Sequence, residues 1–257
     1  VKEYAVLVDL GKKRDFAATM VMKDSPQIAL GSELLKQPNR VLHYYDIVYI
    51  DQKQGVWYHD IVDEIGQLMN RATLAENADL IVDGTGVGEG VVEMMREKGL
   101  QPIPIITTGR GLMREVYADI SEVFRRPAWG DRATRLNIQV LKEIHVPKAD
   151  LVAAGQLLVQ QERIRVAAGL KWAEEARKQF KSFRGKINER TKHKVYEADT
   201  EEEHDDLVIC YLLGAWWFVK HKGREEIPER QLPENEETKE SLDWLFLLKG
   251  MIWLKQK

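Results

Sequence analysis

Two short apolar runs that both end on an aspartate constrain this chain more than any other feature. "YAVLVDLG" covers residues 4–11 and "LIVDGTG" residues 80–86, so the runs close on Asp9 and Asp83, with glycine following in each case. Uninterrupted aliphatic and β-branched runs of this kind read as strands buried on both faces, the interior strands of a sheet covered by helices. A carboxylate at the tip of such a strand stands at the C-terminal edge of the sheet, where open α/β sheets bind ligands.

The stretches between and around these runs fix the order. Phe16 to Met22, "FAATMVM", reads as a second strand paired with the first as a hairpin through "GKKRD". Residues 24–39 carry Pro, Ser, Gly and Asn and read as a long loop, and Val41 to Ile50 is an aromatic and β-branched third strand. The period then changes. Trp57, Ile61, Ile65, Leu68 and Met69 mark a helix within Val56 to Glu76. A fourth strand at Asp79 to Asp83 precedes a helix from Val87 to Lys98, which Gly99 closes. "QPIPII" is a fifth strand whose prolines suggest a sheet edge. Helical crossovers force parallel pairing and right-handed connections. The expected fold class is therefore α/β, with a mixed five-stranded sheet in the order 3-2-1-4-5 flanked by helices.

Residues 107–145 are longer than this sheet needs and read as an insertion or flap, with a hairpin and a strand at Leu136 to Ile138 as one form. Helices are expected at Pro147 to Gln161, Leu170 to Phe183 and Glu201 to His221, with an extended "RIRV" between the first two. Residues 223–239 are charged, hold two prolines and read as linker, and Glu240 to Lys255 reads as a final apolar helix. The expected division is a main domain over residues 1–221, then the linker and C-terminal helix over residues 222–257.

Of the 257 residues, 44% are hydrophobic and 31% charged, which suits a globular chain, and the formal net charge is only -3. Contact with a nucleic acid must then come from local basic clusters. Cys210 is the single cysteine, which excludes an intrachain disulfide and a thiolate zinc cage and points to a reducing, cytoplasmic setting. No signal peptide is evident, and no apolar stretch reaches the roughly 18 to 20 residues that span a bilayer, so no membrane partner is expected.

A third acidic site lies in "EEEHDDLVICYLLGAWW", where Asp205 and Asp206 occupy the first turn of a helix, a position the helix dipole favours. Its apolar residues press that helix onto the sheet and swing the pair over the strand ends. Asp9, Asp83, Asp205 and Asp206 then surround one point, which is costly unless a cation or a proton sits between them. Oxygen ligands without a His or Cys cage select Mg²⁺ or Mn²⁺, and two such ions about 3.5 to 4 Å apart can activate a water and stabilise the leaving oxygen of a phosphodiester. The glycines after Asp83 would let a phosphate backbone approach. Taken singly, each piece also has a plainer reading. An Asp-Gly pair is a turn signal, and "HDD" before an apolar run is an ordinary helix start. Glu89 is an outer-sphere ligand or a solvated first-turn acid, and His204 a base, a phosphate contact or a cap neighbour.

"VLVDLG", "LIVDGTGVGEGVVEMM" and "HDDLVICYLLGAW" resemble the nuclease domain of phage terminase large subunits, the motors that cut and package viral DNA. "VPKADLVAAGQLLVQQERIRVA" and a helix ending "RKQFKSF" are similar to the region before the last motif of that family. The resemblance covers most of residues 1–221 and implies a ribonuclease H-like fold of the resolvase type. It maps the family's metal-binding acids onto Asp9, Asp83 and Asp206, with Asp205 assisting. It implies a metal-dependent endonuclease acting on double-stranded DNA with little sequence preference, in the host cytoplasm. Family members carry an ATPase domain before the nuclease, and no G-x-x-x-x-G-K-S/T occurs here. The sequence begins at Val1, so a fragment cut after that domain and a stand-alone relative both remain open, as does docking to other packaging-motor subunits.

DNA contacts are expected from Lys12, Lys13 and Arg14 after the first strand, from Arg110, Arg114, Arg125, Arg126 and Arg132 in the insertion, and from Arg184, Lys186, Lys192 and Lys194 before the last motif. Three rival readings stand beside the nuclease. An actin-like or sugar-kinase-like ATPase shares a first strand ending in Asp-x-Gly but needs a second lobe and further phosphate loops. A dinucleotide-binding enzyme is disfavoured because "GTGVGEG" fails G-x-G-x-x-G in either register. A catalytically silent scaffold would keep the fold and bind DNA or a motor partner.

Overall fold

The expected 3-2-1-4-5 strand order is present, and further strands extend it on both sides. The computed structural model describes residues 2–11, 16–28, 41–86, 89–109, 111–119, 139–188, 193–198, 204–221 and 252–253. Strands β1 (Tyr4–Leu10), β2 (Phe16–Ile28) and β3 (Val41–Gln54) come first. Helix α1 (Tyr58–Met69), β4 (Ala78–Asp83), α2 (Glu89–Glu97) and β5 (Pro102–Thr108) follow. Then come β6 (Arg114–Asp119), β7 (Gln139–Pro147), α3 (Lys148–Gln160), β8 (Ile164–Val166) and α4 (Ala173–Ser182). A hairpin of β9 (Phe183–Asn188) and β10 (His193–Ala198) leads to α5 (Asp206–Trp216), which runs on into a π-helical turn at Trp217–His221, and β11 (Ile252–Trp253) is last.

Among the described residues, the main sheet has nine strands in the order β11-β8-β3-β2-β1-β4-β5-β7-β6, while β9 and β10 form a separate pair. β1 is antiparallel to β2 and parallel to β4, as crossover geometry requires. Residues 24–28, expected in a loop, instead continue β2 and pair with β3, and two further expectations need correction. The proline-bearing β5 is not an edge, because β7 pairs with it in parallel from Ile105 onward. Ile105 turns its carbonyl toward β4, where Gly84 N–H donates to it at 2.9 Å. Alternation therefore turns Pro102 and Pro104 toward β7, which begins at Gln139, but the β5–β7 pairing starts only at Ile105↔Ile144, so their missing N–H groups break no ladder bond. The C-terminal helix is corrected at Ile252 and Trp253, which pair in parallel with Arg165 and Val166 of β8 as a short strand. The remainder of that expected helix, the expected linker, and the strand at Leu136 to Ile138 lie outside the described residues.

Side-chain alternation sorts the sheet's core into two layers. Val6, Val8 and Leu10 of β1, with Leu80 and Val82 of β4, pack against α1 and α2. Ala5, Leu7 and Ile81 face the opposite way, into the layer built by α3, α4 and α5. Helix α5, expected to be apolar on one side, is buried at every one of its residues, because the sheet lies beneath it and α3 and α4 cover it. Glycines permit that close stacking. A Cβ on Gly214 would come within 2.5 Å of Leu7 Cδ1, and one on Gly155 of α3 within 2.5 Å of Leu212 Cδ2. Tyr211 Oη donates to Gly155 O at 2.7 Å across the same crossing. Among the described residues, no helix is long and apolar enough to cross a membrane.

Candidate active site

The same alternation places the first two candidate acids. Asp9 follows Val8 and Asp83 follows Val82, a registered parallel pair, so the two aspartates stand side by side at one end of adjacent strands. Both fall on the Leu7 and Ile81 side, which α5 covers. Asp79, two positions before Ile81, shows the same orientation by accepting Trp217 Nε1–H at 3.0 Å. Since Gly214 seats α5 on β1, its N-terminus, with Asp205 and Asp206, lies over the strand ends.

Electrostatics records the convergence. Burial pushes the Asp9 carboxyl well above its ordinary value, and the negative charges of Asp83, Asp206 and Asp205 push it further, with Lys148 opposing them. Burial also raises Asp83, against the hydrogen bonds from Thr85 and the charge of Lys148, while Asp205 adds to the rise. All four sequence-predicted acids therefore share one field.

The carboxylates turn to protein donors. Asp83 Oδ1 accepts Thr85 N–H at 2.8 Å, a local turn in which the plainer Asp-Gly reading is also realised. Asp206 Oδ2 accepts Gln52 Nε2–H at 3.3 Å, and His204 Nδ1 lies 4.0 Å from the same oxygen. His204 also stands edge-on to Phe16, with ring centroids 4.4 Å apart. Among the described residues, no set of three or more His, Cys, Asp or Glu side chains is already placed to hold one metal ion. The donor set fits a hard divalent cation in kind: it is carboxylate oxygen throughout, with more negative charge than Lys148 alone offsets. Cys210 offers neither a ligand nor a nucleophile, because burial pushes its thiol up and its Sγ points to Leu7 O and Ala18 O at 3.7 and 3.5 Å.

Two glycines after Asp83 have local structural roles. A Cβ on Gly84 would lie 2.6 Å from Ile106 Cδ1, so Gly84 serves the β4–β5 contact, and Gly86 takes a positive φ of 83° in the turn. Helix α2 begins at Glu89, so this acid does lie in a first helical turn, as expected.

Two kinds of residue escape the sequence reading. Lys148 opens α3 directly after β7, on the same edge as the acids, and its Nζ lies 5.8 Å from the centre of the Phe183 ring. The buried amides Gln52 and Gln179 connect β3, α4 and α5, and neither carries a periodicity that a sequence pattern would reveal. Of the expected DNA contacts, Arg114 starts β6, opposite His145 of β7. Arg184 and Lys186 lie in β9 and Lys194 in β10, paired in the hairpin that leads to α5. Lys12, Lys13, Arg14, Arg110, Arg125, Arg126, Arg132 and Lys192 lie outside the described residues.

No family model matches the sequence, and no curated protein matches it. Solved structures do share its architecture. The large terminase nuclease from thermophilic phage G20c superposes with a TM-score of 0.52 at 16% identity, over 88% of this chain and 83% of that one. The same nuclease with bound magnesium gives 0.50 at 16% identity, over 83% and 80%. The fold is ribonuclease H-like. It is similar to a phage terminase nuclease in architecture, and at this identity the likeness concerns the fold alone.

Proposed function

We propose that this chain is a metal-dependent endonuclease that hydrolyses double-stranded DNA with little sequence preference, as the cutting part of a viral packaging motor. The observation that carries the reading is the meeting of Asp9, Asp83, Asp205 and Asp206 at one sheet edge, where Asp9 feels the charge of the other three. The likeness to a terminase nuclease, in one structure with bound magnesium, supports it at the level of fold.

In this reading Asp9, Asp83 and Asp206 hold two Mg²⁺ or Mn²⁺ ions and Asp205 assists. Such ions supply an activated water and charge stabilisation for the leaving oxygen. The chain's own part is to fix the carboxylates on a rigid sheet and helix and to bring DNA across that edge. Arg114, the β9–β10 residues Lys186 and Lys194, and Lys12, Lys13, Arg14, Arg110 and Lys192 are the proposed phosphate contacts. An ATPase domain upstream, or other subunits of the motor, would be the protein partners.

The lack of a ready three-ligand arrangement among the described residues favours a second reading, a catalytically silent scaffold that binds DNA or a motor partner. A plasmid-nicking assay with Mn²⁺, Mg²⁺ and EDTA separates the two. The nuclease reading requires cleavage with metal, none with EDTA, and loss of cutting in Asp83→Asn; robust cutting by that variant overturns the site.

A further inference from the structure

Helix α5 is not capped by its own first residue. Asp205 occupies the N-cap position and makes no side-chain capping bond. Gln179 of α4 does this instead: its Oε1 accepts Leu207 N–H at 2.9 Å. Its Nε2 donates to Gln52 Oε1 at 3.2 Å, and Gln52 Nε2 donates in turn to Asp206 Oδ2 at 3.3 Å. Both amides are 3% exposed.

The direction of this chain is set at both ends. A backbone N–H can only donate, so Gln179 must turn its oxygen to Leu207 and its NH₂ to Gln52. An ionised carboxylate can only accept, so Gln52 must turn its NH₂ to Asp206 and its oxygen to Gln179. Each amide has one orientation that satisfies both neighbours. A buried amide that loses its partner bears an uncompensated desolvation penalty, so the three bonds tend to persist or fail together.

We propose that Gln52 and Gln179 form a positioning relay that fixes the rotamer and height of Asp206 for divalent-ion binding; this rests on the nuclease reading above. The relay ties one candidate ligand to strand β3 and helix α4, so the carboxylate cannot turn away when the ions leave. Neither amide is among the proposed metal ligands. Their effect passes through Asp206 and through the seat of the α5 N-terminus.

The test is Mn²⁺ binding by calorimetry on the full chain, alongside the melting temperature and the metal dependence of plasmid cutting. Gln52→Met and Gln179→Met keep volume and remove the bonds. Each should weaken Mn²⁺ binding about 10- to 100-fold, as loss of outer-shell partners typically does. The double variant should be no weaker than either single one, because one broken link already disables the chain. Gln179→Glu retains an acceptor for Leu207 N–H, and so the cap, but turns the Gln52 amide round and sets its oxygen against Asp206. A simple charge effect would tighten Mn²⁺ in that variant; the relay requires it to weaken. Gln179→Glu carries the test should the methionine variants not fold.

A fall in melting temperature with unchanged Mn²⁺ affinity would make the pair a structural cap and overturn the relay, leaving the nuclease reading intact. Tighter binding in Gln179→Glu would overturn it as well. Absence of Mn²⁺ uptake by the unmutated chain would instead remove the nuclease reading, and the relay with it.

Discussion

Asp9 and Asp83 stand next to each other because Val8 and Val82 are the last registered pair of two parallel strands. Neighbouring strands lie about 4.8 Å apart, so two carboxylates at that position on one face repel each other. Asp83→Asn keeps an oxygen for Thr85 N–H and removes one charge. Its metal-free melting temperature should equal or exceed that of the unmutated chain. Its cutting rate should fall about a hundredfold or more, since several kcal/mol of charge stabilisation depends on the ligand and about 1.4 kcal/mol is tenfold. Thermal melts and the nicking assay measure the two effects separately. A variant that loses stability and activity together would contradict the assignment.

The raised carboxyls of Asp9 and Asp83 fix the sign of a pH effect. A carboxyl whose folded value lies above its unfolded one, near 3.8, binds its proton more tightly in the fold. Its stabilising contribution is complete below that unfolded value and is lost as pH rises through the raised folded one. The metal-free chain should therefore lose stability from these groups as pH rises above about 4, with a slope of at most about 1.4 kcal/mol per pH unit for each proton. Melts of the unmutated chain and of Asp9→Asn across this range isolate the contribution: the variant should gain relative stability as pH rises. Mn²⁺ should raise the melting temperature near pH 7.5 and leave it unchanged near pH 4, where the carboxyls hold protons.

Lys148 opposes the acids from the first turn of α3, and its charge lowers both Asp9 and Asp83. Lys148→Met should destabilise the metal-free chain near neutral pH by less than about 1 kcal/mol, the scale of a solvent-screened pair. Near pH 4 the loss should vanish, and saturating Mn²⁺ should erase most of it at neutral pH, because the ion takes over the counter-charge. Chemical denaturation at the two pH values, with and without Mn²⁺, decides this. A loss independent of pH would assign Lys148 to packing against Phe183 instead.

The legible parts of this fold are those with a period or an abrupt end. "YAVLVDL" and "ADLIVD" are largely apolar on both faces because both faces are covered, and Asp9 and Asp83 stand at their C-terminal ends. The prolines of β5 mislead because a missing N–H excludes a partner only where it would have bonded, and the pairing of β5 with β7 starts beyond them, at Ile105. The β9–β10 hairpin is not legible: "FRGKIN" follows directly on the helical pattern of α4, "HKVYEA" lacks an apolar alternation, and its arms are joined through backbone pairing. The candidate acids are legible as strand ends and a helix start. Their supports are not, since one lysine among many and two scattered glutamines acquire meaning only from the neighbours that folding supplies.

Two helix glycines should respond in opposite directions. Gly66 of α1 has a helical backbone, and a Cβ added there would meet nothing within 4 Å, so Gly66→Ala should raise stability by about 0.5–1 kcal/mol through helix propensity. Gly214 holds α5 against β1, where a Cβ would lie 2.5 Å from Leu7 Cδ1 and 3.1 Å from Met22 Cε. Those side chains are themselves fully buried and have little room to yield. Gly214→Val should cost about 1–3 kcal/mol, the usual range for an overfilled core, and lower the melting temperature by roughly 2–4 °C per kcal/mol. It should also lift the N-terminus of α5 away from the strand ends and weaken Mn²⁺ binding, although Gly214 lies two helical turns from Asp206. Gly66→Ala serves as the control, because it alters stability without touching that contact and should leave Mn²⁺ binding unchanged. Equal metal affinity in Gly214→Val would show that the height of α5 on the sheet does not set the geometry of the acids.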